Sequence, residues 1–94
     1  MKATVVGLVT PHVLRVMDLA KQAQAGTNVD WHLRDAVART LEDLRQQFNA
    51  RDLLAAYIQG LESVAKDVGP GRQRYVDMLQ TAADMAEREI ERLD

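Results

Sequence analysis

Cysteine is absent from this 94-residue chain, and proline (2), glycine (5) and aromatic residues (4%) are scarce. Without cysteine there is no disulfide framework, no thiolate metal site and no thiol nucleophile, a pattern that fits a reducing, cytoplasmic compartment. So few prolines and glycines leave room for few turns. The shortage of aromatics argues against a sandwich of aromatic-rich strands and for closely packed helices built on Ala, Leu and Val. A basic excess is missing as well: 12 Lys and Arg stand against 14 Asp and Glu, for a net charge of −2. Nucleic-acid binding draws much of its affinity from neutralised phosphates, so this balance disfavours it. No apolar run approaches the ~20 residues of a membrane-spanning helix. Lys2, the apolar residues 3–9 and Ala23-Gln24-Ala25 imitate a signal peptide, but Arg15, Asp18 and Lys21 interrupt it before any cleavage point.

What the chain does have is a 47% hydrophobic fraction, enough to exclude a disordered polymer. Its spacing predicts a single all-α domain over residues 1–94: a small antiparallel bundle of about four helices, near 11–25, 29–48, 50–68 and 72–93. The first is expected to open at Thr10-Pro11, with Thr10 as cap, Pro11 at the first helical position, and Val9 stapled to Leu14. Val13, Val16, Met17, Ala20 and Ala23 then share one face, and Gly26 closes the helix. Residues 1–10 read as a short apolar arm, strand-like or weakly helical. A kinked continuous helix is the alternative, because Val5, Val6 and Val9 stay in phase with Val13.

The second helix has competent caps in Thr27, Asn28 and Asp30, and an apolar stripe of Leu33, Val37, Leu41, Leu44 and Phe48. Its outer face carries His32, Asp35, Arg39, Glu42, Asp43 and Gln46. The apolar arc of residues 54–68 lies roughly 140° from that of residues 33–48, which predicts a break at Asn49, with Asn49 as cap and Phe48 stapled to Leu53. The third helix is expected to bury Leu54, Ile58, Leu61, Ala65 and Val68. After Gly69-Pro70-Gly71, Val76, Leu79, Ala83, Ala86, Ile90 and Leu93 form a heptad seam, with Glu89 and Arg92 outside it.

Catalytic and metal-site patterns are thin. His12 and His32 have no second ligand at metal spacing and read as solvated surface residues. Ser63, the single serine, has no nucleophile elbow around it. No metal or cofactor is implied. Arg72 and Arg74, beside a helix start, are candidate anion-binding residues. Met78 and Met85, seven apart and roughly 90° off the heptad seam, Tyr75 on the other flank, and Trp31, roughly 120° from the apolar centre of its helix, are candidate partner-binding residues.

The segment Leu41-Glu42-Asp43-Leu44-Arg45-Gln46-Gln47-Phe48-Asn49-Ala50-Arg51-Asp52 resembles the opening of the all-helical chorismate mutases. That resemblance implies a small intertwined dimer without cofactors, with Arg45 at the first catalytic arginine position. Continuing the register puts Glu62 where the family has its second arginine and Gln73 where it has a lysine, reversing a charge that should grip a dicarboxylate.

The expected function is therefore a non-enzymatic helical protein–protein interaction module: a small adaptor, chaperone, inhibitor or assembly factor of bacterial or phage type. Its partner would be another protein, and it would form a homo-oligomer through its C-terminal helix. The alternatives are a small helical enzyme of chorismate-mutase-like architecture and a weak nucleic-acid-associated accessory protein.

Overall fold

The computed structural model describes residues 4–93, in which four helices follow one another with no strand among them: α1 (Val5–Gln24), α2 (Asp30–Arg45), α3 (Ala50–Asp67) and α4 (Gln73–Leu93). The all-α bundle expected from the hydrophobic spacing is thus the architecture observed.

The N-terminal arm is the first correction. Residues 1–3 lie outside the described part, but residues 5–10 are the opening turns of α1 rather than an extended arm. Thr4, in extended geometry, caps the helix, its Oγ1 accepting a hydrogen bond from the Gly7 amide at 2.9 Å. Pro11 consequently sits inside the helix, not at its start, and Thr10 does not cap but donates its hydroxyl to the Val6 carbonyl at 2.7 Å. An interior proline costs about 3 kcal/mol, whereas burying one valine contributes about 1.5–3 kcal/mol. The part of the stripe that precedes Pro11 is Val9, at 2% exposure, and the half-buried Val5, and burying these two offsets the cost of the broken backbone bond. Leu14 is exposed and staples nothing to the core.

Gly26 ends α1 as expected, at φ 104°. The Thr27 amide donates to the Gln22 carbonyl and the Gly26 amide to that of Ala23, both at 3.0 Å, a Schellman closure that satisfies the last carbonyls. α2 begins after Val29, which is buried and offers no side-chain cap; Asn28 Oδ1 instead accepts from the Asp30 amide at 3.2 Å. The break before α3 is real, but its details differ. α2 stops at Arg45, Phe48 is fully exposed in the connecting turn instead of stapling to Leu53, and the Asn49 side chain makes no cap.

In α3 the buried arc is Leu53, Leu54, Tyr57, Ile58 and Leu61, while Ala65 and Val68 are half-buried. In α4 it is Tyr75, Leu79, Ala82, Ala83, Ala86 and Glu89. That face is rotated by roughly 40° from the heptad seam. Val76 and Ile90 fall to its margin, and Leu93 is exposed. Alanines at 82, 83 and 86 bring the α4 backbone close to its neighbours, which turns the helix that way.

The helices alternate in direction. The Tyr75 amide donates to Gln24 Oε1 at 3.2 Å, so the end of α1 meets the start of α4. Val29 and Asp30 share a groove with Arg74 and Met78, and Arg45 meets Glu89, so α2 and α4 run the same way. The α1, α3 and α4 backbones approach one another most extensively, whereas α2 makes fewer close backbone approaches while still burying Leu33 and Val37. α1 and α3 approach closely at Gly60, where a Cβ would stand 3.1 Å from a Val13 methyl.

Candidate functional site

Two surfaces emerge where the bundle leaves side chains unused. The first is the groove between α2 and α4. Its floor is the buried Leu41, the half-buried Met85 and the exposed Ala38; Arg34 and Arg45 rise from α2, and Arg88 and Arg92 from α4. Glu42 and Glu89 complete the lining of a space of about 350 Å³. Glu89, expected outside the seam, is only 8% exposed. Its burial is compensated by two cations, with Arg92 Nη1 at 3.3 Å and Arg45 Nε at 3.7 Å. Arg45 also reaches Glu42 at 2.6 Å. A carboxylate this enclosed is tolerated only when paired, and the pairing in turn fixes where the two guanidinium groups stand.

The second surface lies at the other face of α2, where its end meets the first turns of α1. Leu8, His12, Leu44, Phe48 and Leu53 line a groove of about 410 Å³ there. Behind it the helices hold a polar cluster. The buried Thr40 donates to the Ala36 carbonyl at 3.0 Å, and His12 Nδ1 lies 3.4 Å from its Oγ1. While the Thr40 hydroxyl donates to Ala36, the His12 ring can join that contact only in a form that carries a proton on Nδ1. His12 is therefore half-buried and engaged with α2, not solvated as expected. Tyr57 is wholly buried nearby, and its hydroxyl meets no partner in hydrogen-bond geometry among the described residues. Burial pushes its phenol well above the ordinary range, and the adjacent Thr40 hydroxyl offsets only part of that rise.

The sequence-derived candidates distribute unevenly over these surfaces. Trp31 is 70% exposed at the start of α2, its ring edge-on to His32 with centroids 5.3 Å apart. Met85 lines the α2–α4 groove, Met78 lines a neighbouring one, and both pack partly against the core. Tyr75 is a core residue at 5% exposure rather than a flank. Burial raises its phenol, with Arg72 opposing and Asp18 reinforcing the rise. Arg72 and Arg74 are exposed at the start of α4, and Arg74 shares its groove with Asp30 and Asp77, whose carboxylates would compete with an anion.

Arg45 lines the α2–α4 groove, while Arg51 is exposed at the start of α3 and is not among the residues lining it. Among the described residues no group of three or more His, Asp or Glu could hold a metal ion. No described helix is long and apolar enough to cross a membrane. By sequence Arg88 reads as an outer-face partner of Asp84, which instead accepts from Gln80 Nε2 at 3.3 Å, and Arg34 is not singled out; the available signal was that Arg34 and Arg45 sit on the same outward side of their helix as Trp31.

Comparison with protein-family models, curated proteins and solved structures found no match.

Proposed function

We propose that this chain is a non-enzymatic, cytoplasmic protein-interaction module that self-associates. The observation that carries the reading is Phe48. It is fully exposed on a turn, beside the exposed Leu8, in a chain with only four aromatic residues. Exposed aromatic and aliphatic side chains next to an open groove are the usual anchors of an interface.

The last helix, favoured from sequence as the self-contact, has less to offer. Tyr75 is spent in the core, Met78 and Met85 pack partly against it, and the outward face of α4 carries Gln73, Asp77, Gln80, Asp84, Glu87 and Glu91. The Leu8–Phe48 surface supports an isologous dimer instead, in which each Phe48 enters the other copy's groove between Leu8, Leu44 and Leu53.

Size-exclusion chromatography with light scattering, run over a wide concentration range, tests this. The natural protein should give a dimer mass and Phe48→Asp a monomer mass with unchanged helical circular dichroism. A monomer at every concentration, or a Phe48→Asp variant of undiminished mass, would remove the proposal.

A further inference from the structure

We propose that the groove between α2 and α4 binds an acidic amphipathic helix from a second protein. This rests on the reading of the chain as an interaction module but concerns a different surface from the Leu8–Phe48 contact.

Charge is the first argument. Four arginines face two glutamates across the groove, which leaves a local charge of +2 on a chain whose net charge is −2. Arg45 and Arg92 are engaged by Glu42 and Glu89. Arg34 and Arg88 are exposed and have no ion pair among the described residues. Two planar guanidinium groups, one on each wall, are thus free to take carboxylates in bidentate fashion.

The second argument is that the neighbouring cations are already placed. Glu89, nearly buried, holds Arg45 and Arg92 at the end of the groove before any partner arrives, so less side-chain freedom is lost on docking. Shape and polarity supply the third. The floor of Ala38, Leu41 and Met85 is apolar, and about 350 Å³ has room for a few aliphatic side chains. Trp31, exposed one turn before Arg34 on the same side of α2, is available as a further anchor for a helix that extends past the groove. Together these describe a ligand with an apolar stripe flanked by carboxylates, the profile of an acidic amphipathic helix.

Two other occupants fit less well. A nucleic-acid backbone would bring phosphates to the arginines but no aliphatic side chains for the floor of Ala38, Leu41 and Met85. A second copy of this chain could offer the acidic outer face of α4, but that face carries no large apolar side chain for the floor.

Fluorescence anisotropy of a labelled, designed helical peptide, with leucines spaced i, i+3, i+7 and flanking glutamates, provides the test. Control ligands are the same peptide with lysines for glutamates and a labelled single-stranded DNA. The acidic peptide should bind saturably and more weakly as salt rises, while the controls should not. Arg34→Glu with Arg88→Glu should weaken binding by about tenfold or more, and Arg34→Lys with Arg88→Lys should retain part of it. Both positions are exposed, and circular dichroism checks that the fold persists. Phe48→Asp should bind the acidic peptide as the natural protein does. Failure of the acidic peptide to saturate, equal binding of either control, or an undiminished double glutamate variant would overturn the assignment. If the dimer stands while peptide binding fails, only the groove assignment falls; if both fail, the interaction reading falls with it.

Discussion

Tyr57 carries a conflict within one side chain. Its ring fills the centre of the bundle, yet its hydroxyl is buried without a partner meeting hydrogen-bond geometry among the described residues. An unsatisfied buried hydroxyl costs about 1–3 kcal/mol, and a phenyl ring of nearly the same shape would not incur that penalty. Tyr57→Phe should therefore leave stability at neutral pH unchanged or raise it by about 1 kcal/mol, as read from denaturant unfolding. The pH dependence follows from the raised phenol. Below about pH 10 both folded and unfolded chains hold the proton, and the group adds no slope. Above that, the unfolded chain releases a proton that the folded chain keeps, so stability falls as pH rises further. Tyr57→Phe should lessen that alkaline loss without abolishing it, because Tyr75 is raised by burial too. An identical alkaline profile in the variant would show that Tyr57 is not the group responsible.

At the scale of elements, α1 shows two local rules in competition. Thr10-Pro11 is a sound helix-start signal, and Val5, Val9, Val13 and Val16 form a sound helical stripe; the stripe prevails because tertiary burial of Val5 and Val9 offsets the proline penalty. Pro11→Ala restores an amide inside the helix and should raise the midpoint of thermal unfolding, by about 1–3 kcal/mol of stability. A fall in stability would mean that Pro11 favours the fold by restricting the unfolded chain.

The same competition explains what was legible in the sequence. Helix number, the break near Asn49 and the closure at Gly26 could all be read from spacing and turn residues, which are local signals. Which way α4 rolls about its axis could not, because three alanines at 82, 83 and 86 accept close approach on more than one side. That roll put Tyr75 inside and drew Glu89 under two arginines. Phe48 was misread for a related reason: helical phase was extended three residues past Arg45, where the helix ends.

For the whole molecule, cohesion is uneven. α1, α3 and α4 form the tightly packed part, closed at Gly60 against Val13, and fewer close backbone approaches tie α2 to it. Partial opening should start there. Native-state hydrogen exchange is expected to give α2 amides the lowest opening free energies of the four helices, below those of α3 and α4. Protection equal to the global value across α2 would contradict this. Neither surface proposed for binding could be read from one helix alone, since each needs α2 laid beside another element, and the parallel run of α2 and α4 is what lines up Arg34 and Arg45 with Arg88 and Arg92.

The aromatic residues are sorted by chemistry as well as by depth. Both tyrosines lie inside and the single indole lies outside, edge-on to an imidazole. The protein therefore carries two separate optical reporters. Near-ultraviolet circular dichroism of the tyrosines registers the state of the interior, and tryptophan emission registers the environment at one end of α2. A melt followed by both signals would separate the departure of that helix from collapse of the remainder, with no label attached.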